Sequence, residues 1–302
     1  MSWPHSGFDT LRRCESLTIL LTALVGALVG FAAGVFGVGG GFLLVPILNI
    51  ALKVPIEVAI GSTACQVLGP ATTSLLARKI GGEELRLPLI VGGGLLVGVI
   101  LGTQVLELGK SYGEINLPSR SVPWTEFCVL IIYFLLLVLL GIWTLWESGQ
   151  PANGNRKGWL AAVMIPPYCS LPVMRRARAS ILVLAWFGLI IGFMSGLLGI
   201  SGGLILLPGL VYLFGFRTQD SIVSSMTIVW LLSIQSTIAH AWHENVEIGL
   251  VLALLVGGTT GARLGSEIGM KLKGRQLRKG FAWLLLGTAL LIAGRLGKLL
   301  LV

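Results

Sequence analysis

The chain has 302 residues, of which 55% are hydrophobic and 12% charged, with a mean hydropathy of +0.90 and a formal net charge of +9. An ordinary soluble domain carries about 25% charged residues, so this composition excludes a water-soluble globular protein. Its Lys and Arg fall between apolar runs, with no basic helix carrying interleaved aromatics, which argues against a nucleic-acid binder and for topology and anionic headgroups.

In chain order, the N-terminal "LRRCESLTILLTALVGALVGFAAG" has the basic and apolar parts of a signal peptide. A near-copy at 181–196 makes it a permanent span instead. Apolar runs predict transmembrane helices at 17–36, 57–77, 87–108, 124–146, 180–200, 219–240, 247–270 and 280–300, each near the ~20 residues that cross a bilayer. The predicted fold is therefore all-α, a polytopic membrane protein of about eight spans. Two pieces, 41–52 and 203–215, are too short to cross and read as half-helices or re-entrant elements. The stretch 159–173 is interrupted by Pro166, Pro167 and Pro172 and reads as an interfacial connector. Cys14, Cys65, Cys128 and Cys169 lack CxxC spacing and read as packing residues, so no metal and no cofactor is expected.

The chain repeats itself. At an offset of 162, "GFAAGVFGVGGGFLLVP" (30–46) meets "GFMSGLLGISGGLILLP" (192–208), sharing Gly30, Phe31, Gly34, Gly37, Gly40, Gly41, Leu44 and Pro46. Ser62 and Thr63 fall on Ser224 and Ser225, and Gly94, Gly98 and Gly102 fall on Gly257, Gly261 and Gly265 one residue further on. The expected organisation is a first transmembrane repeat at 1–146, a basic connector at 147–179 and a second repeat at 180–302. Four spans before the connector would put the N-terminus, the 78–86 loop and the connector on the cytoplasmic side and make the repeats parallel. The basic segment "KLKGRQLRK" (271–279) contradicts that count, unless a half-helix crosses completely.

Glycine in a helix interior costs up to ~1 kcal/mol relative to alanine, so runs of it mark breaks or close packing. Gly26, Gly30 and Gly34, and Gly257, Gly261, Gly265 and Gly269, form small-xxx-small ridges. Gly39, Gly40 and Gly41, and Ser201, Gly202 and Gly203, exceed what a ridge needs. Breaks at equivalent places in two halves point to a transporter's site, where a half-helix start offers N–H groups and a positive dipole end to an anion. The polar patches that follow, Ser62, Thr63 and Gln66 in "GSTACQ" and Ser224 and Ser225 in "SSMT", could donate to an oxyanion or bond back to their own helices. Arg263 reads as pairing with Glu267 or as drawing an anion to the pathway. His240 and His243, beside Glu244, read as interfacial. "GISGG" matches the G-x-S-x-G of serine hydrolases, with His240 as a candidate base, but the first copy has Gly39 where the second has Ser201, so the repeat explains the glycines without a nucleophile. No G-x-x-x-x-G-K-[ST] occurs, which removes direct coupling to ATP.

The duplicated glycine motif, each copy followed by an apolar half-helix with Pro46 or Pro208, and "AIGST" in the first half resemble the sulfite exporter TauE/SafE family over nearly the whole chain. The resemblance implies a bacterial inner-membrane carrier, not an enzyme, for sulfite, organosulfonates or other small anions. Its motifs map onto Gly39–Gly41, Ser62, Thr63 and Ser201–Gly203. The resulting expectation is a secondary transporter exporting a small anion through the lipid bilayer, with a coupling ion left open. An anion channel is the alternative, and an intramembrane serine protease a distant one.

Overall fold

The structure is a computed structural model and describes residues 15–36, 40–76, 85–116, 121–148, 160, 163, 165–170, 178–216, 218–269, 271–272 and 274–301. Its elements are α1 (Glu15–Phe36), α2 (Gly41–Ala51), α3 (Ile56–Leu76), α4 (Arg86–Ser111), the hairpin β1 (Glu114–Asn116) and β2 (Ser121–Pro123), and α5 (Trp124–Ser148). A second hairpin, β3 (Tyr168–Ser170) and β4 (Arg178–Ser180), leads into α6 (Ile181–Leu198). Then come α7 (Gly203–Pro208), prolonged by a π-helical turn (Gly209–Leu213), α8 (Thr218–Trp242), α9 (Ile248–Gly269) and α10 (Gly274–Leu301). Among the described residues six helices, α1, α4, α5, α6, α9 and α10, are long and apolar enough to cross a membrane. Exposed Leu20, Leu89, Leu139, Trp186 and Leu290 give these helices the apolar outer surface that lipid requires.

Two backbone-to-backbone seams organise the bundle. A methyl group on Gly30 or Gly34 of α1 would collide with the backbone of Gly258 or Ala262 of α9; one on Gly257, Gly261 or Gly265 would meet Ala23, Ala27 or Phe31. Positions rise together along both chains, so α1 and α9 run parallel. The second seam is built alike: Gly94, Gly98 and Gly102 of α4 lie on Ala185, Leu189 and Phe193 of α6, while Gly188, Gly192 and Gly196 lie on Val91, Leu95 and Val99. These are the most extensive helix contacts in the molecule. Between lipid-covered helices there is little hydrophobic gain, and such close approach supplies the dispersion energy instead.

Two further pairs are antiparallel. Gly61 of α3 faces His240 of α8, and Thr72 accepts a hydrogen bond from Trp230 Nε1 at 3.0 Å. Gly141 of α5 faces Leu286 of α10, and Arg295 Nη2 pairs with Glu126 Oε1 at 3.3 Å. The β1–β2 hairpin reverses α5 against α4, and α10 turns back directly after α9. Together these directions make α1 antiparallel to α6. One end of the bundle, where Glu57, Lys110, Thr125, Asn245 and Glu247 gather, holds the starts of α1, α3, α5 and α9. The other holds the starts of α4, α6, α8 and α10.

This overturns the expected grouping of loops. The start of α1 lies opposite the connector, because α2 runs back to the end where α3 begins and so adds a reversal that a four-span count omits. The start of α4 with Arg86, the end of α5 and the start of α6 on either side of the connector, and the start of α10 with Arg278 and Lys279 lie at one end of the bundle. The basic 271–279 segment is no longer an exception.

Two glycines of one helix test the seam. Gly98→Val should lower the thermal unfolding midpoint in detergent, since overpacking costs ~1–3 kcal/mol or more. Gly93, with no atom within 4 Å of a would-be Cβ, should accept alanine with a gain of ~0.5–1 kcal/mol from helix propensity.

Candidate functional site

The helix breaks meet directly. α6 ends in a left-handed cap at Gly199 (φ 68°), whose N–H bonds the Ser195 carbonyl at 2.8 Å, and Gly202 repeats that conformation (φ 72°) to start α7. Only glycine adopts such angles without strain. Between them Ser201 is buried, and its backbone nitrogen and Oγ lie 3.2 Å from where a Cβ on Gly41 would sit; the Gly199 carbonyl is at 3.1 Å. Gly41 is the first residue of the 11-residue α2, whose Gly40 carbonyl accepts from Leu43 and Leu44 at 3.1 Å. The start of α2 is thus pressed against the α6–α7 break. Its first N–H groups lack intrahelical acceptors, as at any helix start, and carry about half a positive charge.

α3 closes this region. Ile60 packs on Gly199, and Gln66 reaches α9, its Nε2 being 2.7 Å from the Cβ position of Gly258. Thr63 lies midway along the same i, i+3 stripe. It is fully buried, and its Oγ1 has no hydrogen-bond partner; neither does Gln66 Oε1. Buried polar atoms are rarely left so, and each needs an explanation.

The other sequence-predicted residues fall elsewhere. Ser62 is buried but engaged, its Oγ accepting from the Glu247 N–H at 3.0 Å just before α9. Gly40 rests on Val29 of α1, and Gly202 is surrounded by Leu232, Leu206 and Ile191. Gly203 opens α7. Ser224 and Ser225 are buried on α8, but His240 marks the level of Gly61, so Ser225 lies about 22 Å away along that helix. The two polar patches therefore do not line one small site. Arg263 is exposed on α9, on the face turned from the Gly261–Gly265 seam, and the described ion pairs do not include one with Glu267. Gly39 lies outside the described residues.

Sequence reasoning missed two features. Tyr133 of α5 is fully buried and donates from Oη to the Leu198 carbonyl at 2.6 Å, covering an acceptor at the open end of α6. An isolated Tyr in an apolar run carried no signal for this. His240, expected at the interface, is wholly buried, and its ring meets the Gly196 backbone of α6 rather than a side-chain partner. It therefore makes no Ser–His pair with Ser201.

A family model described as sulfite exporter TauE/SafE matches residues 21–292. A probable membrane transporter protein of Bacillus subtilis, YunE, is 26% identical over 267 residues, covering 85% of this chain and 90% of that protein. Probable membrane transporter proteins of Xylella fastidiosa (25% identical; 92% of this chain, 96% of that one) and Haemophilus influenzae (27%; 90% and 97%) are similar over comparable lengths. No solved structure matches the chain.

Tyr133→Phe should uncover the Leu198 carbonyl and cost ~1–3 kcal/mol, read as a lower unfolding midpoint in detergent. An unchanged midpoint would mean that water or another donor already serves that carbonyl.

Proposed function

The chain belongs to the sulfite exporter TauE/SafE family, and from that premise we propose that it is a secondary carrier moving a small anion, sulfite or an organosulfonate, outward across a bacterial cytoplasmic membrane. The observation that carries this reading is the contact of Gly41 with the Gly199–Ser201 break, on which Ile60 packs one turn before the unpartnered Thr63 hydroxyl on α3. Backbone N–H groups at the α2 start, the Ser201 N–H and hydroxyl, and the Thr63 hydroxyl are neutral donors. An oxyanion can accept several of them at once, and with no full opposite charge it is held weakly enough to leave. Tyr133, by occupying the Leu198 carbonyl, removes an acceptor that would repel it.

The organisation proposed is two repeats, 1–146 and 180–302, inverted relative to each other, with eight full-length passes and a half-helix in each. The sequence offset relates α1 to α6, α3 to α8 and α4 to α9, and chain order then pairs α5 with α10. Where related helices touch, as α3 and α8 or α5 and α10, they are antiparallel, and the α1–α9 seam exchanges with α6–α4. A two-fold axis in the membrane plane has both consequences. The end that collects the 78–86, connector and 271–279 segments is assigned to the cytoplasm by its basic residues. An inside-negative potential then favours efflux by about 2.3 kcal/mol per charge per 100 mV.

Purified protein in liposomes should pass labelled sulfite or isethionate faster than empty vesicles, saturably and with counterflow; unitary currents without counterflow would make it a channel. Rates equal to empty vesicles across sulfur oxyanions and small carboxylates would overturn the reading. Ser201→Ala and Thr63→Val should each raise the half-saturation concentration, ~5- to 100-fold for ~1–3 kcal/mol of lost hydrogen bonding. Arg263→Gln should leave it near the wild-type value.

A further inference from the structure

Thr63 and Gln66 stand one turn apart on α3, 0% and 6% exposed, and each holds a polar atom without a hydrogen-bond partner, Thr63 Oγ1 and Gln66 Oε1. The two atoms are not chemically alike. A threonine hydroxyl has a proton to give as well as lone pairs, whereas a carboxamide oxygen can only accept. Ile60, one turn before Thr63, packs on Gly199, so this pair continues along α3 from the point where the helix meets the α6–α7 break.

The orientation of the Gln66 carboxamide follows from its surroundings. The atom nearest the position of a Cβ on Gly258 of α9 is Gln66 Nε2, at 2.7 Å, followed by the Gly26 carbonyl oxygen of α1 at 3.7 Å and Gln66 Cδ at 3.8 Å. The NH2 end thus faces the α1–α9 seam, and Oε1 is turned away from it. Exchanging the two ends would set one carbonyl oxygen toward another, with no proton between them.

A buried acceptor left bare is costly and needs a proton to face. The α2 start, Ser201 and Thr63 would spend their protons on the anion. An anion offering acceptors alone would satisfy Thr63 and turn a negative oxygen toward Gln66 Oε1; one that also carries an O–H would satisfy both. Side chains one helical turn apart have Cβ atoms ~5–6 Å from each other. A single short molecule spans that distance with a hydrogen bond at each end.

We propose that Gln66 selects the anion, and that the class it selects is a monoanion bearing its own hydrogen-bond donor: hydrogen sulfite, or a sulfonate with a hydroxyl group a short distance from the sulfur. The inference rests on the anion-carrier reading above and deepens it. The oxygens on sulfur accept from the α2 start, Ser201 and Thr63, and the hydroxyl donates to Gln66 Oε1. Sulfate and the sulfite dianion lack the proton for that contact, and a plain alkanesulfonate leaves the carboxamide oxygen bare. Such discrimination is strong because the penalty falls on a buried atom of the protein itself.

The test is competition against labelled isethionate, which is hydroxyethanesulfonate, on the full chain in liposomes. Unlabelled isethionate should compete ~5- to 100-fold better than ethanesulfonate, the scale of one unmade hydrogen bond to a buried group. Methoxyethanesulfonate, which keeps the oxygen but not its proton, should do no better than ethanesulfonate. Gln66→Leu should bring isethionate and ethanesulfonate to within about twofold of each other. Gly258→Ala, whose methyl group would stand 2.7 Å from Gln66 Nε2 and turn the carboxamide, should narrow the same ratio. The proposal is overturned if ethanesulfonate or its methoxy derivative competes as well as isethionate with the wild-type chain. It is equally overturned if the preference survives Gln66→Leu, or survives Gly258→Ala where the leucine variant does not fold. Equal competition together with flux that requires sodium would assign Gln66 Oε1 to a cation instead. If neither isethionate nor sulfite moves, the anion-carrier reading fails and this one with it; if sulfite moves without isethionate, or sulfonates move without discrimination, only the choice of substrate class fails.

Discussion

The structure depends on how closely two backbones can approach where no water drives them together. In a lipid-covered bundle the backbone must be satisfied within each helix, and association rests on dispersion and shape. The α1–α9 and α4–α6 seams meet this demand with glycines at every fourth position on both sides, so that main chain lies on main chain. A single methyl group at most of these positions would force the helices apart. Once the seams are closed, α3 and α8 are held between them, and the broken segments after α1 and α6 have only the interior to enter.

That interior imposes its own electrostatics. The α6–α7 break brings carbonyl groups as well as N–H groups to the start of α2, and the anion proposed to bind there would require the former to be covered. The Leu198 carbonyl is answered by Tyr133, and the Gly199 N–H turns back to Ser195. What stays unanswered is a hydroxyl on Thr63 and a carboxamide oxygen on Gln66. Thr63 brings a donor and Gln66 Oε1 an acceptor, and neither carries a fixed charge, which would be costly at that depth.

Much of the helix content was legible because hydropathy and proline are local signals: helices occupy each predicted span, and both short pieces are short helices. Pairing was not legible. A glycine ridge announces that something approaches closely but not what, and nothing local told α1 to choose α9. The direction of α2 was equally hidden, although the basic 271–279 segment was a sign that one reversal had been missed. Arg263 could have been placed from phase alone: it stands two residues from both Gly261 and Gly265, hence on the opposite face of α9. His240 misled because its neighbours Trp242, His243 and Glu244 are polar or interfacial in type, and only the tertiary packing turned that one side chain inward. Ser224 and Ser225 looked equivalent to Ser62 and Thr63, and the antiparallel crossing of α3 and α8 is what separates them.

The seams also bear on which parts can move as bodies. Each joins a helix from before the connector to one from after it, so a cut at the connector would leave α1 without α9 and α6 without α4. A rocking of the first 146 residues against the last 123 would have to peel main chain from main chain along both lines. A hinge that respects the seams would have to carry each close-packed pair as one rod. The boundary at the connector is thus not a line along which the two sides part freely, because both seams cross it.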